Sequence, residues 1–200
     1  MTTREKAALR QAIRAAWPGQ ARQDEESAAI CRHLTAWAPF RQAEVVGGYM
    51  PMAQEADITP LLKAVLASGR ALALPRCGQP PEMTFHRVLS LGELLQGRWG
   101  IPEPREDAPV IPPEALSLVL TPLEGTDAQG RRLGKGGGYY DRLLASTRAL
   151  AVGVALSWQI VPRVPVDPWD KPLDALADAA GVRMLPPDRR RSTNHAIEPL

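Results

Sequence analysis

A chain of 200 residues, 44% of them hydrophobic, suits a single domain that buries a core of ordinary size. The formal net charge of +2 excludes a general attraction to nucleic acid or to an anionic membrane, and no apolar run is long enough to span a bilayer. Two cysteines, Cys31 and Cys77, make neither a disulfide framework nor a zinc site, and they fit a reducing, cytoplasmic setting.

Helical and strand patterns alternate along the chain. Helices are predicted from Thr2 to about Trp17, from Asp24 to about Trp37, from Asp57 or Thr59 through Leu66, and over 139–146. Strands are predicted at 44–51, 70–75, 82–88, 116–122 and 149–156, and the proline-rich segment 100–115 reads as a connection. The alternation predicts an α/β fold with a largely parallel sheet, as one domain over residues 1–185. The basic segment 186–200 is predicted to be a mobile tail.

The stretch GRRLGKGGGYYDR, residues 130–142, lies between the strand predicted at 116–122 and the helix predicted at 139–146. It therefore lies at the carboxyl end of a strand and enters the N-terminus of a helix, where open α/β sheets bind ligands and where an anion is favoured. The clustered cations Arg131, Arg132 and Lys135 indicate that something negative lies between them. The alternative is a flexible glycine loop with surface basic residues.

Neither of the two best-known phosphate-binding loops fits this stretch. Gly130 is too close to the pair Gly134-Lys135 for a P-loop, and Gly136 follows the lysine where serine or threonine is required. A dinucleotide fingerprint fails as well, because Tyr139 occupies the position of its third glycine.

The segment from Asp127 to Leu144, DAQGRRLGKGGGYYDRLL, resembles the signature D-x-x-G-x-R-L-G-x-G-x-G-Y-Y-D-R of the 5-formyltetrahydrofolate cyclo-ligase family. Weaker similarities are carried by KAALR near the start, by EADITPLL and by VGVALSWQIVPRVPVDPWDKPLD. Two departures are local. Gly125-Thr126 replaces an aromatic residue, and ADAAG, at 177–181, replaces a closing Thr-Glu; we interpret the second as structural.

The resemblance implies a three-layer α/β/α fold like that of the sugar-phosphate isomerases and CoA transferases. It also implies an ATP- and Mg²⁺-dependent ring closure of a reduced folate, 5-formyltetrahydrofolate, in which ATP phosphorylates the formyl oxygen and nitrogen 10 closes the ring. We expect a cytoplasmic monomer without a nucleic-acid or membrane partner. No cysteine or histidine nucleophile is required, so His33, His86 and His195 are interpreted as structural or surface residues, and His86 is the only mild candidate for a pocket.

The resemblance also implies roles for individual residues. The catalytic residues are Arg132, expected to face the transferring phosphoryl group, and Lys135, expected nearer the folate; Asp141 and Asp170 are the expected Mg²⁺ ligands. The residues implied in ATP binding are Lys6, Arg10, Arg132, Leu133, Gly134, Lys135, Gly136, Gly137, Gly138, Tyr139 and Tyr140. Those implied in folate binding are Met50, Glu55, Lys135, Gly136, Gly137, Gly138 and Tyr139.

Each assignment competes with a plainer structural explanation. Lys6 and Arg10 could be solvated charges one helical turn apart, Glu55 could favour a helix dipole, and Asp141 and Asp170 could be helix-start and turn residues. Trp99, Trp158, Met50 and Phe85 fit a core more often than a pocket. Two rival functions also remain, a small phosphotransferase on the same scaffold and a non-catalytic folate- or nucleotide-binding module.

Overall fold

The computed structural model describes residues 2–79 and 82–186 of the chain. In these ranges the helices are α1 (Thr2–Ala15), α2 (Gln20–Ala36), α3 (Ala38–Gln42), α4 (Thr59–Ala67) and α5 (Tyr139–Ser146). The strands are β1 (Val45–Gly47), β2 (Ala71–Cys77), β3 (Met83–Val88), β4 (Leu95–Gln96), β5 (Pro102–Glu103), β6 (Val110–Ile111), β7 (Leu118–Thr121), β8 (Gly125–Thr126), β9 (Arg132–Leu133), β10 (Leu150–Val154), β11 (Ala175–Asp178) and β12 (Gly181–Met184). None of the helices in this part of the chain is long and apolar enough to cross a membrane.

One mixed sheet of eight strands organises the domain, in the order β12-β11-β10-β7-β1-β2-β3-β6. The five strands β11, β10, β7, β1 and β2 run parallel; β12 and β3 flank them in the antiparallel direction, and β6 pairs antiparallel to β3 at the edge. Strands covered on both faces read as continuous apolar runs, and every residue of β7 and β11 is buried. The predicted α/β fold with a largely parallel sheet is confirmed.

Successive strand residues point to opposite faces of the sheet and enter separate cores. Leu72 and Leu74 of β2 pack with the apolar faces of α2 and α4 on one side. Ala73 of the same strand and Val119 of β7 pack with Leu143 of α5 on the other side. The sheet is therefore the middle of three layers, as the resemblance implied.

The sheet changes winding direction between β1 and β7. β1 leads through α4 to β2 on one side of it, whereas β7 leads through α5 to β10 on the other, although β1 and β7 are direct neighbours. Diverging connections leave a crevice at the carboxyl ends of these two strands, and this is the usual ligand site of open α/β sheets.

Several elements differ from the sequence-based predictions. The strand predicted at 44–51 is only Val45–Gly47, because the chain leaves the sheet after it and forms a wall of the crevice. Helix α2 begins at Gln20, earlier than predicted. Helix α3 lies where no element was predicted, and β5 and β6 lie in the segment predicted as a connection. The strands β11 and β12 were also missed; ADAAG forms their turn, so this departure from the family pattern is structural.

The boundary of the predicted domain stays a prediction. The tail predicted for 186–200 lies outside the described residues except for Pro186.

Candidate active site

A pocket of about 690 Å³ opens at the carboxyl ends of β1 and β7. Its walls come from helix α1, the segments after β1 and β7, the end of β2 and the start of β3, the segment 99–103, the stretch from β9 through the glycine loop to the start of α5, and the segment 167–170. Every residue predicted to bind ATP, folate or metal lies in its lining. The fold thus brings these residues together.

The glycine loop, residues 134–138, connects β9 to α5 along one wall of the pocket. Gly136 and Gly138 have φ angles of +101° and +65°, which side-chain-bearing residues rarely adopt. Gly138 is the N-terminal cap of α5 and offers no capping side chain, so the first N–H groups of the helix remain available to an anion. Arg10 of α1 fixes the loop by donating from Nε to the carbonyl oxygen of Gly134 at 2.8 Å.

Arg132 lies on the short strand β9, and only 4% of its side chain is exposed. Its Nη2 donates to Oδ1 of Asp141 at 2.5 Å, and its guanidinium lies 5.9 Å from the ring centroid of Tyr140. The packing of β9 against α1 holds it in place, since the next residue, Leu133, shares a core with Ile13.

Unpaired polar atoms concentrate in this pocket. Among the described residues, the buried side-chain nitrogen or oxygen atoms without a hydrogen-bond partner are Arg132 Nε and the hydroxyls of Tyr139 and Tyr140. All three residues line the pocket. Buried polar groups are nearly always paired in folded proteins, so orphaned donors collected at one place mark a site that a polar ligand completes.

Two carboxylates on the segment 167–170 meet a lysine from α1. Lys6 Nζ lies 2.7 Å from Asp167 Oδ2 and 2.5 Å from Asp170 Oδ2, and all three side chains are at most 16% exposed. Burial opposes the charge of the ammonium, but the hydrogen bonds to the two carboxylates outweigh it and raise the pKa of Lys6. Lys6 and Arg10 are therefore not simply solvated charges, which corrects the plainer explanation.

Asp141 and Asp170 share the charged side of the pocket although they lie on different elements. Asp141 accepts a hydrogen bond from the backbone N–H of Lys171, the residue after Asp170, at 3.2 Å. Within the described ranges, no three His, Cys, Asp or Glu side chains converge closely enough to hold a metal ion by themselves. A metal here would take a carboxylate or two and complete its shell with phosphate and water, the usual arrangement for Mg²⁺.

Glu55 is an acidic residue on the opposite side of the pocket. It lies before α4 and is 6% exposed; its Oε2 accepts the N–H of Met52 at 2.9 Å, and its Oε1 lies 3.0 Å from Lys135 Nζ. Burial, and secondarily this carboxylate, raise the pKa of Tyr49 and of Tyr140. Because α4 begins only at Thr59, the explanation of Glu55 as a helix-dipole residue is wrong.

Apart from Glu103, which is also buried, the rest of this side is mostly apolar. Tyr49, Met50 and Met52 follow β1, and Cys77 ends β2. Trp99 was expected in a core, but it lines the pocket with 59% of its surface exposed, and its ring meets Tyr139 edge-on at 6.1 Å. Its φ of +58°, between Gly97 and Gly100, places it there, and the flanking glycines of GRWG were the available signal.

The other residues interpreted as core or structural behave as expected. Phe85 is 2% exposed in the sheet core, and Trp158 packs against two core clusters. His86 is buried and lies within hydrogen-bond distance of Thr84 Oγ1 and of the carbonyl oxygen of Ala108, outside the pocket lining. His33 lies 3.2 Å from the carbonyl oxygen of Ala179, and His195 is outside the described residues.

A doubly wound α/β fold with a basic, glycine-rich loop at its switch point is typical of enzymes that bind nucleotides or phosphates. The family model described as "5-formyltetrahydrofolate cyclo-ligase family" matches residues 2–178, and the chain belongs to this family.

Known proteins agree with this assignment. The chain is 32% identical to a 5-formyltetrahydrofolate cyclo-ligase of Escherichia coli strain K12 over 87% of its own length and 98% of that protein. It is 31% identical to the corresponding protein of Haemophilus influenzae, over 77% of its own length and 84% of that chain. Among solved structures, the 5,10-methenyltetrahydrofolate synthetase of Aquifex aeolicus superposes with a TM-score of 0.79 at 35% identity, covering 96% of this chain and 98% of that one.

Proposed function

We propose that this protein is a ligase that converts 5-formyltetrahydrofolate to 5,10-methenyltetrahydrofolate, driven by Mg-ATP. One observation carries the proposal. A single pocket joins the basic glycine loop, where the unpaired donors collect, to an apolar side that holds the buried carboxylate of Glu55. Such a pocket suits two ligands side by side, a polyphosphate and a flat polar ring.

The charged side of the pocket is proposed to hold the phosphates of ATP. The glycine backbone of residues 134–138 leaves room for close approach, and α5 directs its N-terminus there. Lys6 and Arg10 supply positive charge from α1, and Leu133, Tyr139 and Tyr140 flank the loop.

Arg132 is proposed to face the phosphoryl group that is transferred. It is preorganised by its pair with Asp141, and its free Nε is a buried donor to an oxygen of developing charge. Lys135 is more exposed and is paired with Glu55, which supports our expectation that it acts nearer the folate.

The apolar side is proposed to take the folate. The carboxylate of Glu55 can accept hydrogen bonds from the amino and ring N–H donors of the pterin, a pairing worth more in a buried place than in water. Met50, Tyr139 and Trp99 offer apolar and aromatic surface to the flat rings.

The carboxylates of Asp141 and Asp170 fit Mg²⁺, which prefers oxygen ligands and binds proteins through one or two carboxylates plus substrate phosphate. When bound, the ion would neutralise charge on the ATP phosphates. Replacing either aspartate by asparagine is expected to raise the magnesium requirement more than the folate requirement.

The proposed reaction needs positioning and charge neutralisation more than a protein nucleophile. The formyl oxygen takes the γ-phosphoryl group from ATP; nitrogen 10 then bonds to the formyl carbon and loses its proton, and the oxygen leaves as phosphate. Among the described residues of the pocket lining, the one thiol is Cys77; burial raises its pKa to about 11, so it stays protonated.

An absorbance assay for the methenyl product tests the proposal. Product should form from 5-formyltetrahydrofolate with Mg-ATP and should not form when either magnesium or ATP is left out. Phosphate release with other acceptors but no methenyl product would instead support a phosphotransferase, and folate binding without turnover would support a non-catalytic module. A monomeric state and a cytoplasmic location stay predictions, which gel filtration and cell fractionation can check.

A further inference from the structure

The geometry around Lys6 points to a built-in counter-cation: Lys6 competes with the divalent metal for Asp167 and Asp170, and Asp167 is a further carboxylate of the cation site. Because metal and nucleotide belong to the proposed function, this inference rests on that function. The role of Asp167 had no counterpart in the sequence analysis.

The ammonium of Lys6 occupies the position of a bridging cation. Lys6 Nζ lies between the two carboxylates, 2.7 Å from Asp167 and 2.5 Å from Asp170. The backbone N–H of Asp167 also donates to Oδ2 of Asp170 at 2.8 Å, so the two aspartates form one compact unit. An ammonium that bridges two carboxylate oxygens stands where a hard cation would be held.

The two carboxylates beside Lys6 need a positive charge between them. Lys6, Asp167 and Asp170 have side chains that are only 12%, 16% and 10% exposed. Two carboxylates that are this close and this little hydrated repel one another unless a cation lies between them. Lys6 therefore meets the same electrostatic need as a divalent ion.

The neighbouring pair Arg132–Asp141 has the same arrangement, an acidic side chain held by a cation. Asp141 is held by Arg132, whose Nε is buried without a partner in the same pocket. On the charged side of the pocket, Lys6 and Arg132 are thus each paired with acidic side chains, and each can also bind phosphate. Lys6 can turn to the phosphates when its carboxylates take another cation, while Arg132 stays in place with its Nε available, so that metal and nucleotide favour each other's binding.

Manganese binding without nucleotide or folate tests this inference, with the free ion measured by electron paramagnetic resonance. Lys6→Met keeps the length of the side chain and removes the charge. It should bind one Mn²⁺ at least about tenfold more tightly than the wild-type protein, because the competing ammonium is gone. Arg14→Met is the matched control on the same helix: Arg14 pairs with Glu124 at 2.6 Å, away from the two aspartates, and its loss should leave Mn²⁺ affinity unchanged.

The double variant Lys6→Met with Asp167→Asn assigns the new carboxylate. It should lose the gain in Mn²⁺ affinity, whereas a gain that survives this change excludes Asp167. If Lys6→Met shows no gain in Mn²⁺ affinity, Lys6 does not compete with the metal and the inference is overturned.

If Lys6→Met does not fold, Asp167→Asn alone decides the matter. With a non-hydrolysable ATP analogue, its Mn²⁺ affinity should fall several-fold, and an unchanged value removes Asp167 from the site. None of these measurements needs turnover, so their failure would leave cyclo-ligase activity untouched. Absence of that activity would likewise leave the metal result standing.

Discussion

The two sides of the pocket are built in different ways. The charged side uses the nearly continuous stretch 132–141 with Lys6, Arg10 and the turn at 167–170, and its cations and carboxylates are already paired with each other. The apolar side is assembled from the ends of β1 and β2 and the segment around Trp99, and it carries two buried carboxylates, those of Glu55 and Glu103. The difference indicates a division of labour: charge and phosphate on one side, ring recognition on the other. Damage to each side should therefore appear in different kinetic constants.

The largest expected effect comes from filling the glycine loop. Gly138→Val should lower turnover at least about a hundredfold, because a branched side chain blocks the approach of the phosphates and small displacements at a catalytic site cost this much. The added Cβ would also lie 3.0 Å from Arg142 Nη1. Steady-state kinetics and nucleotide titration measure the loss.

Gly69→Val is the matched control, since Gly69 has a similar φ of +75° but lies after α4 with no atom within 4 Å of its added Cβ. Both variants should lose about 1–2 kcal/mol of stability to the unfavourable φ. Only the first should lose activity. Unchanged ATP affinity in a folded Gly138→Val protein would refute the proposed phosphate cradle.

The next largest effect is a loss of kcat that leaves folate binding nearly unchanged. Arg132→Ala should reduce kcat by about tenfold to a thousandfold, because a preorganised cation aimed at developing charge acts mainly in the transition state. The KM for folate should change little. Arg132→Lys keeps the charge but loses the planar donor fork, so its kcat should lie between those of the wild-type protein and Arg132→Ala. A variant with a normal rate and weak folate binding would exchange the roles assigned to Arg132 and Lys135.

Two exposed tryptophans sharpen the comparison further. Trp99 and Trp169 are 59% and 67% exposed and line opposite sides of the same pocket. Trp99→Ala should raise the KM for folate about three- to tenfold, the value of one aromatic contact, and leave that for ATP nearly unchanged. Trp169 lies beside Asp170, so Trp169→Ala should raise the KM for ATP and leave that for folate nearly unchanged. Equal effects of both variants on both substrates would mean that the pocket does not divide as described.

The charged side was predictable because its information is local. Residues 130–142 contain the loop, the cations and the start of α5 in sequence, so a strand before them and a helix after them suffice to place them. The fold class was predictable for a similar reason, since buried parallel strands read as apolar runs. The edge strands were not: β6 and β12 depend on pairing with a neighbour already in the sheet.

The apolar side was harder to predict because it depends on contacts distant in sequence. Tryptophan is a residue type that usually packs in a core, and Trp99 reaches the pocket only because its backbone adopts a φ of +58°. Asp167 gives no distinct signal in the sequence, because an aspartate directly before a proline is typical of a turn. Its meeting with Lys6 joins residues 161 positions apart. Long-range contacts of this kind leave no periodic trace in a single sequence.

The smallest effect uses a thiol that reports on the apolar side. Cys77 ends β2 in the pocket wall, and burial raises its pKa to about 11; burial raises the pKa of Cys31, outside the pocket, to about 11 as well. A pKa above the usual value keeps a thiol protonated, so the thiolate is only about one part in ten thousand at pH 7 and grows as the pH rises towards 11. Both cysteines should therefore react slowly with a maleimide at pH 7 and much faster at pH 10.

Ligands should then distinguish the two thiols. Bound folate should slow the labelling of Cys77 several-fold and leave Cys31 unaffected, and Mg-ATP alone should protect neither, as mass spectrometry of labelled peptides can measure. Protection of Cys77 by Mg-ATP alone would place the nucleotide against β2. That result would reverse the proposed orientation of the two substrates while leaving the site itself in place.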